Sequence, residues 1–227
     1  MVIRIQGFDK GTFGGNFHTH NQINHMPPGI DYLCYSNGQD YVRGMRNAIE
    51  QAKQGRVVAL VDCTDLLNRR HLHGKDRGWE TQYPPPGELM SFHDVRRFGN
   101  KGRHLVVSYG NGVVTSLRAR RKLVELGHVE SEHEVDVIDT PYISEVPNGL
   151  RDALAEGNYE SALFADICKE GPGGNALSST IMTLKSEKLL PPKWEFVAPP
   201  RAYNPLGNTL TFLNEDDIAH SFERLLS

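Results

Sequence analysis

Cysteine is scarce in this chain of 227 residues: three are present, Cys34, Cys63 and Cys168, and none forms a Cys-x-x-Cys pair. That spacing excludes a zinc ribbon or a disulfide scaffold and predicts a reducing compartment. Long apolar runs are missing too. With a mean hydropathy of −0.47, the chain carries no segment that could cross a membrane as a helix. The opening residues Met1 to Ile5 lack the apolar core of a secretory signal. The expected location is therefore the cytoplasm, or the mitochondrial matrix in a eukaryote. Nor does one sign of charge prevail. The net charge of −3 gives no reason to expect nucleic acid or an anionic membrane as partner.

What is present is ordinary for a globular protein, with 38% hydrophobic and 23% charged residues and length enough for one large or two small units. A polar, broken stretch runs from Arg69 to Glu88 and includes Pro84-Pro85-Pro86. Consecutive prolines cannot donate backbone hydrogen bonds and favour an extended conformation, so this stretch reads as a linker. Before it, Val2–Ile5 alternates like a strand, Tyr32–Tyr35 is a second short strand, and Val57–Val61 is the apolar run of a buried parallel strand. Between the last two, a helix from about Gln39 carries Val42, Met45 and Ile49 on one stripe and ends near Gly55.

After the linker, strands at His104–Tyr109, Val135–Asp139, Ser161–Ala165 and Trp194–Val197 alternate with helices. Gly110-Asn111-Gly112, Pro147 and Gly171–Gly174 open these helices, and Asn214 caps a terminal one. Alternation of this kind predicts an α/β fold with a mostly parallel sheet covered on both faces.

The densest polar cluster is Asn16–Gln22, with His18 and His20, placed after the Gly-rich loop Gly11–Asn16 and followed by His25. Loops at the ends of sheet strands are where α/β proteins place ligands, and histidine titrates near neutral pH. Three readings stand side by side: a metal site without an acidic or cysteine ligand nearby, satisfied loop histidines, and a proton donor or charge stabiliser acting on a substrate. Tyr109-Gly110-Asn111-Gly112 is not Gly-x-Gly-x-x-Gly, so it reads as a tight strand-to-helix turn, as does Gly171–Gly174 with Lys169 and Glu170 exposed beside it. Asp62 and Asp65 end a buried strand and read as turn residues. The cysteines read as buried, inert thiols, and Arg120-Arg121-Lys122 as the wet face of a helix.

In order and spacing, these landmarks resemble the β subunit of the 2-oxoacid dehydrogenase E1 component, of the transketolase superfamily. The residues that carry the likeness are Gly14-Gly15, His20-Asn21-Gln22, Pro28-Gly29, Asp40 with Gly44-Met45, and the strand Val57–Val61. In the second half they are Leu105–Gly110, Val135–Asp139, Ala165–Gly174 and the tail Arg201–Leu206. The resemblance implies the later part of a thiamin pyrimidine-binding domain over residues 1–80, a linker and first strand region over 81–100, and a transketolase C-terminal-like domain over 101–227. It implies thiamin diphosphate with Mg²⁺ as cofactor of the intact parent, decarboxylation of a 2-oxoacid, and reductive acylation of lipoamide. His20 would be the active-site histidine, with His18 its neighbour. The family's Gly-Asp-Gly motif for diphosphate and metal does not occur in this sequence. The implied partners are therefore an E1 α subunit or fused thiamin-diphosphate-binding domain, the dihydrolipoyl acyltransferase (E2), and a second copy in homodimer contacts. On this reading the chain alone is inactive, and an apolar helix face of its first segment is open. The competing expectation is a non-catalytic assembly domain of a transketolase-like complex.

Overall fold

The computed structural model describes residues 1–8, 10, 27–100, 102–171, 175–201 and 212–227. Two sheets organise it. In the first, β1 (Val2–Gln6) and β2 (Asp31–Leu33) flank β3 (Val58–Asp62), both parallel to it, with Val2 and Asp31 in register with Val58. The helix α1 (Gly38–Lys53) links β2 to β3. It starts where Asn37, in extended conformation, accepts from the Asp40 amide, and it stops before Gly55 at φ 91°.

The second sheet has the order β4-β6-β5-β7-β8: β4 (Arg96–Phe98), β5 (His104–Ser108), β6 (Val135–Asp139), β7 (Ser161–Ala165) and β8 (Lys193–Val197). All pairs are parallel except β4, which runs antiparallel to β6 at one edge. The connecting helices are α2 (Asn111–Glu125), α3 (Asn148–Glu156), α4 (Ser178–Ser186) and α5 (Glu215–Leu226). Strand alternation sorts them between two faces. Leu105, Val107, Ala162 and Phe164 pack with Leu150 of α3 and Ile181 and Leu184 of α4. Val106, Leu163 and Ala165 pack with Val113 and Leu117 of α2 and Phe222 of α5. Both faces are covered, as the α/β reading predicts.

The carboxyl ends of the two sheets meet along a seam. Residues 32–36 run antiparallel to residues 139–143: Leu33 bridges to Tyr142, the Cys34 amide donates to Pro141 O at 2.8 Å, and the Ile143 amide donates to Tyr32 O at 3.0 Å. Gly110, at φ 52°, turns β5 into α2 against this seam, and its amide donates to Cys34 O. A Cβ built there would lie 2.6 Å from Cys34 Sγ and 3.1 Å from Cys63 Sγ. The tight turn expected at Tyr109–Gly112 is thus tight in three dimensions too.

Four local expectations change in the structure. The buried face of α1 is not its apolar stripe: Asp40, Gly44, Asn47 and Ala48 are buried, whereas Val42 and Met45 are half-buried and Ile49 is 45% exposed. Two partners remote in sequence cause this. Arg96 draws Asp40 inward with a bidentate ion pair, and the Tyr35 ring crosses the helix so closely at Gly44 that any Cβ there would collide with its hydroxyl. Residues 69–88 form no helix or strand but are not a free linker. Trp79 is buried, stacks on Phe98 at 5.7 Å and donates through Nε1 to Ser36 O, and Arg46 donates to the carbonyls of Pro84, Pro85 and Glu88. Lys169 is buried rather than exposed. Arg120 is also mostly covered, because its guanidinium donates to the carbonyls of Phe98 and Val135.

Candidate functional site

Open space gathers at the carboxyl end of the first sheet, where α/β sheets hold ligands. Tyr35–Gly38 after β2, Val61–Cys63 at the end of β3, Leu66 to Arg70 after a short 3₁₀ turn, and Arg77 to Thr81 of the packed strap surround a cleft of about 540 Å³. That volume lies in the range of small-molecule sites. Tyr41 and Val42 of α1, Leu66, Leu67 and Trp79 supply apolar and aromatic surface, while Asp62, Glu80, Arg69, Arg70 and Arg77 supply charge. The arginines are engaged: Arg69 with Asp65 at 3.3 Å, Arg70 with Glu80 at 4.0 Å, and Arg77 with Glu80 at 2.6 Å. Asp62 is held by Arg4 at 2.5 Å. Beneath the lining, Tyr41 Oη and Asp62 Oδ1 are buried without a well-aligned hydrogen bond among the described residues, although Tyr41 lies close to both Asp62 and Arg4. Burial, with the charge of Asp62, raises the Tyr41 hydroxyl above its usual range, so Tyr41 is a neutral donor.

Two buried carboxyls stand at the carboxyl ends of strands in the second sheet, Asp139 in the seam and Asp166 away from its pairing. Asp166, just after β7, is pushed up to about 6 by burial, although Tyr109 Oη and the amides of Leu177 and Cys168 each donate to it at 2.7 Å. Asp139, the last residue of β6, is pushed up to about 8 by burial, against a hydrogen bond from Ser36 Oγ. The three cysteines are buried free thiols, as expected, with Cys34 Sγ 3.6 Å from Cys63 Sγ. The contact with Cys63 and burial raise the Cys34 thiol, and burial raises that of Cys168, which makes both poor nucleophiles. Asp65 is a turn residue paired with Arg69, while Asp62 lies at the cleft.

His18, His20 and His25, the Gly-rich loop Gly11–Asn16, Pro172–Gly174 and Ala202–Leu206 lie outside the described residues. Before that stretch, Phe8 packs edge-on against Tyr109 and Lys10 donates to Thr115, and neither lines the cleft. Several cleft-building residues escape a reading of the sequence. Trp79 and Arg96 act through partners more than 40 positions away. The one local signal was a tryptophan within an otherwise polar stretch.

Among the described residues, no three His, Cys, Asp or Glu side chains converge as a metal site, and no helix is long and apolar enough to cross a membrane. No protein-family model and no curated protein matches the sequence. Solved structures do match. A split-gene transketolase, described as an inactive β4 tetramer, superposes with a TM-score of 0.59 over 99% of this chain at 14% identity. The chain has a transketolase-like fold. It spans 66% of that transketolase chain. The second sheet is mostly parallel and covered by helices, and the cleft belongs to the smaller first sheet.

Proposed function

We propose that this chain is part of a thiamin-diphosphate-dependent 2-oxoacid dehydrogenase, an oxidoreductase of the E1 β kind, and that it contributes one wall of a cofactor site shared with an α subunit or a fused domain. Residues 1–80 then correspond to the later part of a pyrimidine-binding domain and 101–227 to the transketolase C-terminal-like domain, joined through 81–100. The observation that carries this reading is the cleft at the carboxyl end of the first sheet, in a fold that matches a transketolase over nearly the whole chain.

The cleft suits the cofactor's ring and not its diphosphate. Tyr41, Leu66, Leu67 and Trp79 offer flat apolar surface to a heterocycle, and Tyr41 Oη and Asp62 Oδ1, which lie close together without a well-aligned bond, offer a donor and an acceptor to a ring bearing amino and imino nitrogens. The arginines are already paired with carboxylates, and the family resemblance assigns the diphosphate and Mg²⁺ to the partner. When bound, thiamin diphosphate supplies the electron sink for a decarboxylation. This chain's part is to orient the ring, exclude water with Trp79 and Leu67, and present His20, with His18 beside it, to charge developing on the 2-oxoacid. In such an enzyme the two-electron oxidation that yields the acyl thioester would be balanced by reduction of the lipoyl disulfide carried by the dihydrolipoyl acyltransferase.

Titrating thiamin diphosphate with Mg²⁺ into the chain, with and without its α partner, tests the reading through Trp79 fluorescence. Saturable quenching with the partner, lost in Trp79→Phe, is the expected result. No quenching in the assembled complex overturns it. The second reading, a non-catalytic assembly domain, is favoured by the inactive tetramer formed by the transketolase neighbour. It predicts a stable oligomer of this chain, with no response to cofactor.

A further inference from the structure

The seam between the two sheets contains a carboxyl group placed where a charge is poorly tolerated. Asp139 is 1% exposed. Ser36 donates its hydroxyl to Oδ2 of this side chain, but Oδ1 receives no donor among the described residues, and the neighbouring Thr140 Oγ1 is also unpartnered. A second buried carboxyl, Asp40 of α1, faces it, and Arg96 of β4 is committed to Asp40 in a bidentate pair. Asp40 also takes Asn37 Nδ2 at 2.8 Å and Arg43 at 3.3 Å. Local compensation thus goes to Asp40, and a charge on Asp139 would face a like charge with its own Oδ1 unsolvated.

The position of Asp139 gives this a consequence. Ser36 stands between Tyr35 and Asn37, which line the cleft, and Asn37 caps α1. The same strand-like pairing continues through Cys34 and Pro141 to Leu33 and Tyr142. The geometry points to Asp139 as a proton-controlled clamp on the cleft. As a neutral acid it locks Tyr35–Gly38 against the second sheet, and on losing its proton it favours release of that wall. This deepens the cofactor-site reading by naming how the site is regulated, and rests on it only for what the cleft binds.

The sign follows from linkage. Burial raises Asp139 to about 8 when the seam is closed, and an open seam returns it to an ordinary carboxyl near ~4. Opening then releases one proton throughout that window, so the open population rises about tenfold per pH unit between pH ~4 and pH 8 and levels off above. The other groups facing Asp139 keep their charge there. Hydrogen bonds and cations hold Asp40 below the usual carboxyl range against the opposing effect of its burial, Arg96 stays charged, and Tyr35 and Cys34 are raised far above it. His93, at the far end of the seam, packs edge-on against Tyr142.

Amide hydrogen exchange on the full chain without ligand tests the clamp and fails independently of the thiamin reading. The probes are the amides of Cys34, Gly110 and Ile143, whose acceptors Pro141 O, Cys34 O and Tyr32 O lie across the seam. Their protection factors are expected to fall about tenfold per pH unit from pH 5 to pH 8 in the native chain, and to stay flat in Asp139→Asn, which keeps the shape and removes the titration. A flat native profile, or the same slope in Asp139→Asn, overturns the proposal. Should Asp139→Asn fail to fold, Ser36→Ala decides. It retains the carboxyl, so the slope persists at lower overall protection, and a lost slope refutes the clamp.

Discussion

Replacing Gly110 by alanine strikes the point where the two sheets meet, and its cost has two separable parts. The backbone there has φ 52° and ψ −134°, a conformation a residue with a Cβ adopts only under strain of about 1–3 kcal/mol. The new methyl would sit 2.6 Å from Cys34 Sγ, 3.1 Å from Cys63 Sγ and 3.3 Å from Ile167 Cδ1. All three lie in a packed interior, where overpacking costs about 1–3 kcal/mol. The sum, about 2–6 kcal/mol, is a large share of a typical domain's stability of about 5–15 kcal/mol. Urea unfolding followed by circular dichroism should show the midpoint fall by about 0.7–3 M, for a slope of about 2–3 kcal/mol per M. Cys34→Ala separates the parts: in that background the nearest collision is gone, so Gly110→Ala should cost about 1–2 kcal/mol less, leaving the backbone strain. A loss below about 1 kcal/mol in the native background, or an equal loss in both, would refute the reasoning.

Arg96→Met removes the main partner of a buried carboxylate and should cost about 3–5 kcal/mol at pH 7, read by urea unfolding. Because Arg96 and Asn37 hold Asp40 below its unfolded value against the effect of burial, this stability is present above the ordinary carboxyl pKa and is lost as pH falls through the lowered one. The variant's deficit should therefore shrink toward pH 3, and a deficit independent of pH would contradict the pairing. Trp79→Phe breaks the bond to Ser36 O and leaves a buried carbonyl unpaired, an expected cost of about 1–3 kcal/mol; an unchanged melting temperature would show that the strap does not hold the cleft. His20→Ala in the assembled complex should lower turnover of a 2-oxoacid at least a hundredfold, the size of a general acid–base contribution of about 10²–10⁴, without moving the melting temperature. Undiminished turnover would end the role assigned to His20.

The four parallel strands of the second sheet were legible because each sets apolar residues, such as Leu105–Val107 and Ala162–Ala165, between turn signals, and the helix cap at Asn214 is local chemistry. What stayed hidden depends on partners far along the chain. The stripe of Val42, Met45 and Ile49 is a sound helical period, yet it does not say that the opposite face is the one drawn inward by Arg96, 56 residues on. Arg120 looked like surface because its carbonyl acceptors belong to other elements, and the strap looked like a linker because prolines and charges conceal one buried tryptophan. The cleft was legible only as a neighbourhood, a loop after a strand. Its walls come from four separate stretches.

Lys10 spans the molecule in another sense. Its ammonium donates to Thr115 Oγ1 and, across 203 residues, to the carbonyl of Leu213, while Asn111 Nδ2 donates to Phe8 O at 2.5 Å. The partners that fix the residues after the first strand thus lie from 103 to 203 positions further along the chain. The first sheet must wait, partly built, until they are synthesised, and contacts of such long sequence separation slow folding. A nascent chain interrupted before Leu213 would carry a lysine with one of its buried partners not yet synthesised, a ready mark for the quality-control machinery.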